Sequence, residues 1–479
     1  MIIKLKIIFI KNIYFLQNEC LINTKILIIF NIILKTFKFW IFIFILLFII
    51  IFNTSFFCEL NNNYFMMQKD LNLTFQKPIN KNINIGIYAY RIKDGGRARI
   101  TSLLLNSLYK VKFFNIYLFT KINKEDEEYI FPILIKRKTI NNNLIRTIKK
   151  YRIQILIYEL ENIDEINLLN NIKNIKVIFY LHTSSFDWIY DNFTMFKSLY
   201  RSFINSKYII SIVPIDNDYL FKKWGIRSIF MNNFITYDYN SIFSSELSSK
   251  IILMLGRGNA KKKRFSIGII SMEYIAEEIP LCELKIISNI TRINKLQYLV
   301  DNLNLKNNIN FLDYTSFPEI YFKNASLNIF PSISEAFPMV LSETKIYGLP
   351  SILLGLDYIA IAKGGTVYIY DDSPESLSKK AIILLKNDIY KKKLGLEARL
   401  SMKKFNNELV QSKWFKLILS VFNGDNYYQD LRKKDKSMDK IDLINIINNQ
   451  INLLKKRELK FINITINNFE NYTFLENLI

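Results

Sequence analysis

The sequence predicts an α/β fold of two doubly wound, Rossmann-like domains facing a cleft, behind an N-terminal transmembrane helix. Three observations predict it. Short apolar runs alternate with longer amphipathic ones, and the rhythm breaks near residue 235 and then restarts. Alternating β and α segments of this kind build parallel sheets covered by helices. A glycine-containing turn follows the first strand of each half, the place where such sheets hold ligands. Ahead of both halves, Phe39 to Phe57 is uncharged and almost wholly apolar.

That run, FWIFIFILLFIIIFNTSFF, holds 19 residues. At about 1.5 Å per residue it crosses a hydrocarbon core of about 30 Å. Lys25, Lys35 and Lys38 precede it and Glu59 is the first charge after it, so its N-terminal end is the cytosolic one. It is too long, and starts too far into the chain, for a cleaved signal peptide. We therefore expect a cytosolic segment over 1–38, an anchor over 39–57 and a spacer over 58–80. The rest of the chain would stand in the lumen of the endoplasmic reticulum or Golgi on a single pass. Sequons at Asn72, Asn192 and Asn289 fit that side.

The first domain is expected over 81–240. Its opening strand lies in INIGIYAY (83–90), followed by RIKDGGRARITSLLLNSLYKV, a glycine turn leading into a helix. FNIYLFT, IQILIYEL, IKVIFYLHT and KYIISIVP continue as strands, each with a helical stretch behind it. The polar stretch NNFITYDYNSIFSSELSSK suits a linker. The second domain, over 241–405, restarts with KIILMLGR and continues through CELKIIS, INFLDY, LNIFPS, PSILLG and GTVYIYDD. A helix over 406–424 and a polar, Asn- and Lys-rich tail over 425–479 complete the chain.

Composition narrows the function. The 479 residues carry a formal charge of +23, which invites a nucleic-acid reading. Lysine, however, is spread along the chain with Asn, Ile, Phe and Tyr, and no basic stripe interleaved with aromatics stands out. No nucleic-acid partner is expected. Cys20, Cys58 and Cys282 are scattered and odd in number, and His182 is the single histidine. They compose neither a disulfide framework nor a zinc site, so no metal is expected.

Two stretches at strand ends carry the chemistry. In PSISEAFPMVLSETKIYGLP (331–350), Pro338 suits the first turn of a helix, Gly348 its exit and Pro350 its stop. Glu335 then stands in the loop at a strand's carboxyl end, and Glu343 on the helix leaving it. Carboxylates accept paired hydrogen bonds, which suits the vicinal hydroxyls of a sugar or ribose. The same spacing also suits two solvated acids of an ordinary αβ unit. The second stretch favours the site. LMLGRGNAKKKRF (253–265) follows the first strand of that domain and places Arg257, Lys261, Lys262, Lys263 and Arg264 where a strand turns into a helix. Backbone amides, a helix N-terminus and several cations at one turn make a diphosphate site.

Together these stretches resemble the nucleotide-sugar domain of family 4 (group 1) retaining glycosyltransferases, which have the GT-B architecture. The family pattern is Gly-Arg, a lysine a few residues on, and an E-x(7)-E pair in a Pro-Ser/Glu/Gly/Pro frame. Gly256-Arg257, Lys262 or Lys263, Glu335 with Glu343, and Gly348 with Pro350 supply it. DGGRAR (94–99) resembles the glycine-rich first loop, and YLHTSSFDW places His182 at a strand end as family members do. IFMNNF, AKGGTVYIYDDSPESLSKKAIILL and FNNELVQSKWFKLI resemble the linker entry, the last αβ unit and a helix crossing back to the first domain. The likeness spans about residues 83–422.

The resemblance implies that Arg257 and the lysine contact the donor diphosphate, that Glu343 binds the ribose and that Glu335 contacts the transferred sugar. Gly95 and Gly96 would allow close backbone approach to donor or acceptor, and His182 would line the reaction centre. A histidine after a buried strand is often only a packed residue; its matching position favours the functional role. Lys262 fits the commoner spacing and Lys263 the KRF form, and Lys263 is preferred. Ala336 stands where the family usually has glycine, and Phe337-Pro338 replaces an aromatic-glycine pair, so the identity of the sugar is not carried over.

The expectation is a membrane-anchored, retaining hexosyltransferase with a lumenal catalytic domain. It would take a nucleoside diphosphate sugar as donor substrate, a glycan, lipid or protein as acceptor, and no other cofactor. The first domain would then be the acceptor domain and the second the nucleotide-sugar domain. Two alternatives remain open: an epimerase or hydrolase of nucleotide sugars on the same architecture, and a catalytically silent, glycan-binding membrane partner.

Overall fold

The computed structural model describes residues 82–428 apart from 91, 93–94, 122–136, 140–142, 161–162, 186–192, 241–243, 258–260, 290, 292, 316, 357, 372 and 426–427. The apolar run 39–57, the flanking segments 1–38 and 58–80 and the tail from 429 lie outside the described residues. Among the described residues no helix is long and apolar enough to cross a membrane. All of them belong to one compact unit, Lys81–Ile479.

Two parallel sheets organise that unit. The first contains β1 (Ile83–Tyr88), β2 (Phe114–Thr120), β3 (Arg137–Thr139), β4 (Ile155–Glu159), β5 (Lys176–Leu181), β6 (Tyr208–Ser211) and β7 (Ile229–Phe230). Its spatial order is β3-β2-β1-β4-β5-β6-β7. The second contains β8 (Ile251–Leu255), β9 (Glu283–Ile287), β10 (Ile309–Leu312), β11 (Leu327–Phe330), β12 (Ser351–Leu354) and β13 (Thr366–Ile369), in the order β10-β9-β8-β11-β12-β13. Helices on both faces bury such strands on both sides, so they read as near-continuous apolar runs. Ile83, Ile85 and Ile87 of β1 and Ile252, Leu253 and Met254 of β8 are fully buried. The sequence reading did not anticipate β3 or β7. β3 is the polar triplet Arg-Lys-Thr, and β7 is two residues long, inside the segment expected to enter the linker.

In each sheet the chain winds outward from its first strand on one side and then crosses to the other. The order therefore reverses between β1 and β4 and between β8 and β11. At such a reversal the loops leaving the two strands diverge and open a crevice at their carboxyl ends. Both crevices belong to one interface between the halves. Ile333, just past β11, is buried in the core of the first half with Tyr88, Tyr158 and Phe179, and Tyr358 packs against the same cluster. The second half has its own core around Ile252, Ile267, Ile286 and Leu327.

The helix Asn407–Asn423 returns to the first half. Trp414, fully buried, meets the edge of Tyr180 at 5.1 Å between centroids. Lys176 Nζ donates to the carbonyls of Val421 and Phe422 at 2.6 and 2.7 Å, satisfying acceptors that a helix end leaves open. The fold runs past the boundary expected at 425. Tyr428 is buried, and its hydroxyl accepts from Ile209 N at 2.9 Å, so the start of the supposed polar tail is part of the core.

Lys345 braces the helix that carries Glu343. Its Nζ is buried and donates to the carbonyls of Ile361, Ala362 and Lys363 at 2.6, 2.9 and 3.1 Å. Burial pushes the ammonium down from 10.5 to about 7, with the Lys404 charge adding to the effect. Between those values the unfolded chain holds a proton that the folded chain has released, so stability rises with pH from about 7 toward 10.5. The slope is at most about 1.4 kcal/mol per pH unit. Denaturant unfolding at pH 7, 8 and 9 is expected to show this rise, and Lys345→Met is expected to flatten it.

Candidate functional site

Both crevices are lined by the residues that carry polar chemistry. In the second half, β8 ends at Leu255, just before Gly256, and β11 ends before the loop 331–338, so the two motifs read from the sequence lie on either side of the strand reversal. Arg257 stands exposed at the end of β8. Lys261–Lys263 form one 3₁₀ turn, and Ile333 N donates to Lys262 O at 2.9 Å, stitching the two loops together. Lys263 Nζ donates to Glu335 and lies 5.1 Å from the centroid of the Phe330 ring, at the last residue of β11. Glu335 N in turn donates to the Tyr358 hydroxyl at 3.2 Å. Lysine and glutamate are both partly exposed, at 19% and 15% of their side-chain surface. A charge pair in that position is available to an incoming ligand.

One cation does not join this group. Arg264, counted from the sequence among the basic residues of the turn, caps the helix Phe265–Glu278 in the left-handed conformation with φ 50° and is buried. A run of basic residues carries no information about which member turns inward, and here the last one does.

Glu343 is buried as well, near the middle of the helix Met339–Ile346. Its partners come from the first half and the linker. Arg99 Nη1 donates to Oε1 in an ion pair, and the Thr236 hydroxyl donates to the same oxygen at 2.8 Å. Burial pushes the Glu343 carboxyl above the ordinary carboxylate range, with the Arg99 charge and the two hydrogen bonds opposing it. The carboxylate is thus held by one guanidinium across the interface. Gly96, at the start of the same helix as Arg99, makes this approach possible. A Cβ there would stand 3.3 Å from Met339 Cγ, so a larger residue needs the Met339 side chain to give by a few tenths of an ångström. Gly95 precedes it with φ +90°, a conformation that favours glycine.

The crevice of the first half contains His182, just past the end of β5. Its side chain is 5% exposed, its ring centroid lies 4.1 Å from that of Tyr180, and its Nε2 stands 3.4 Å from Glu159 Oε1. Glu159, the last residue of β4, is wholly buried. It accepts a hydrogen bond from the Thr101 hydroxyl, and Arg97 Nε lies 4.0 Å from its other oxygen.

Of the residues singled out from the sequence, Glu335, Lys263, Arg257, His182 and the glycine pair stand at strand or helix ends, and Glu343 lies inside a helix. The sequence reading gathered both acids with Arg257 and its lysine neighbours around one crevice; the structure pairs Glu335 with Lys263 and Glu343 with Arg99. It missed Arg99, Thr236, Glu159 and Tyr358. Arg99 lies inside DGGRAR, where only the glycines drew attention, and Glu159 is the single acid closing the apolar run IQILIYE.

With this geometry in view, the comparisons are informative. Residues 240–401 match the family described as "Glycosyl transferases group 1". Two curated proteins are similar, both described as uncharacterized glycosyltransferases. One from Haemophilus influenzae is 22% identical over 36% of this chain and 49% of its own length. One from Methanocaldococcus jannaschii is 30% identical over 24% of this chain and 27% of its own. The chain therefore spans half or less of the curated relatives it matches. Among solved structures, sucrose-phosphate synthase from Thermosynechococcus elongatus superposes with a TM-score of 0.60 at 14% identity, covering 72% of this chain and all of that one. HepE of Anabaena, in complex with UDP and glucose, superposes with a TM-score of 0.57 at 12% identity, covering 71% of this chain and all of that one. At such identities the likeness establishes the fold: two parallel-sheet, Rossmann-like domains of the GT-B kind.

Removing Arg99 strands the buried Glu343 carboxylate. Arg99→Met is expected to destabilise the fold at pH 7 by about 3 kcal/mol, and Glu343→Gln in the same chain is expected to recover most of that loss. The penalty should shrink toward acid pH, where a carboxyl raised by burial takes up its proton. Urea unfolding of the two single variants and the double variant at pH 7 and pH 5 checks both expectations.

Proposed function

We propose that this protein is a glycosyltransferase that moves a sugar from a nucleoside diphosphate sugar to an acceptor hydroxyl with retention of anomeric configuration. The observation that carries the reading is the Lys263–Glu335 ion pair at the strand reversal of the second sheet, with the Lys263 stem beside Gly256 and the exposed Arg257 next to it in the chain. Cations at the end of a first strand and a carboxylate across a crevice match the two ends of a sugar diphosphate. The match of residues 240–401 to group 1 glycosyl transferases falls on that half. A uridine diphosphate sugar is the donor we favour, because HepE, similar in fold, holds UDP and glucose.

In this reading Arg257 and Lys263, with Lys262 beside them, hold the diphosphate and stabilise the charge that grows on it as the sugar leaves. Glu335 accepts hydrogen bonds from the transferred sugar. Glu343 accepts from the ribose hydroxyls once Arg99 releases it. Gly95 and Gly96 let the backbone of the first half close on the donor, and His182 lines the acceptor side. Closure of the halves excludes water, so that transfer outruns hydrolysis. The retaining outcome rests on the resemblance of the E-x(7)-E pair, and no metal is invoked. The apolar run 39–57 supports an anchor that would hold this domain on the lumenal side of an endoplasmic reticulum or Golgi membrane. The acceptor would then be a glycan, lipid or protein.

Arg257→Ala and Glu335→Ala are each expected to lower turnover of the donor by about 100-fold or more, with thermal unfolding unchanged. Release of radiolabelled sugar from a panel of UDP-sugars, with and without candidate acceptors, measures this. Unchanged turnover in both variants would refute the site. Formation of an epimer without an acceptor would reassign the reaction.

A further inference from the structure

The strand reversal of the first sheet lies between β1 and β4. One wall of its crevice is the helix Gly95–Tyr109, and the other ends in Glu159. This carboxylate is 1% exposed. A buried charge costs several kcal/mol unless it is well paired. Glu159 is paired incompletely. Thr101 donates one hydrogen bond to Oε1, His182 Nε2 stands 3.4 Å from the same atom and Arg97 Nε 4.0 Å from Oε2. Oε2 accepts no hydrogen bond, and neither nitrogen of the buried His182 ring makes one, among the described residues. For the fold alone, an apolar residue would serve this position as well or better.

The surroundings are otherwise firm. The Tyr180 hydroxyl donates to Asn233 Oδ1 at 2.6 Å, and the Tyr180 ring packs 5.1 Å from Trp414 on one side and 4.1 Å from His182 on the other. Burial and the Glu159 charge push the Tyr180 hydroxyl well above its usual value, so it stays a neutral donor. Tyr180 thus packs against the imidazole and Glu159 stands beside Nε2, while neither ring nitrogen makes a hydrogen bond among the described residues.

We propose that Glu159 is a positioning residue for the acceptor side: its charge fixes the His182 ring and keeps a ring nitrogen free for the acceptor hydroxyl. The proposal rests on the transferase reading above. A hydroxyl both donates and accepts, and the unfilled atoms here, Glu159 Oε2 and the His182 nitrogens, offer both functions. Arg97 and Thr101 connect this pair to the helix that starts at the glycine turn. Closure of the halves over the donor and alignment of the acceptor therefore share one element.

The test compares the full chain with Glu159→Gln, Glu159→Leu and Glu159→Asp. Four quantities are read: affinity for UDP, the thermal midpoint, the rate of UDP-glucose hydrolysis with water standing in for the acceptor, and the ring NMR signals of His182 in histidine-labelled protein. His182 is the only histidine, so one set of signals reports on it. The Gln and Leu variants are expected to keep UDP affinity within about twofold and an unchanged or higher midpoint. They should lose about 100-fold in hydrolysis and show His182 signals broadened by exchange between ring orientations. The Asp variant, which keeps the charge, should recover part of the rate. A lower midpoint with activity falling only as the folded fraction falls would overturn the proposal, as would unaltered hydrolysis or unaltered His182 signals in the Gln and Leu variants. Failure of the unsubstituted chain to bind UDP would sink the transferase reading instead, and the His182 signals would still decide whether Glu159 holds the ring.

Discussion

The interface between the two halves depends on one buried charge. Glu343 comes from the second half, and among the described residues its hydrogen-bonding partners, the Arg99 guanidinium and the Thr236 hydroxyl, come from across the boundary. A carboxylate removed from water costs several kcal/mol unless paired with good geometry, so the halves are held where that geometry is met. The other contacts follow from the same placement. Gly96 leaves room for the Met339 side chain, Ile333 enters the core of the first half, and Asn407 clasps the backbone of Ile235, donating and accepting at 2.9 Å each way. None of these contacts would survive a large rotation of one half against the other.

Most of the architecture was legible because parallel strands buried on both faces read as apolar runs. β1, β4, β5, β8 and β11 are such runs, and the loops behind them carry the motifs. β3 and β7 were not legible, since a polar triplet and a two-residue pairing are fixed by their neighbours in the sheet and leave no period of their own. The site divides along a similar line. Glu335, Lys263 and Arg257 stand at strand ends of one half, where local pattern suffices. The pairing of Glu343 with Arg99 spans 244 residues and follows only from how two separately patterned halves meet. Arg264 was visible as a cation, but its burial was not, because a run of like charges has no inward and outward phase. Glu159 was not singled out, because one acid closing an apolar strand leaves no signal of the helix Gly95–Tyr109 that covers it.

The two glutamates of one motif end up in opposite environments, and this bears on how a donor would enter. Glu335 keeps 15% of its side-chain surface and faces a lysine, while Glu343 keeps 2% and faces a guanidinium from the other half. Environment separates the roles of like groups. A diphosphate sugar arriving at this conformation can reach Lys263 and Glu335 while the halves stay as they are. In the proposed reading its ribose would reach Glu343 only if Arg99 withdraws, and Arg99 shares its helix with Gly96, Arg97 and Thr101. A shift of the helix that withdraws Arg99 would, in that reading, also move the residues that contact Glu159 and, through it, His182. Occupation of the nucleotide end and adjustment of the acceptor end would then be linked, because one helix, Gly95–Tyr109, carries contacts to both carboxylates.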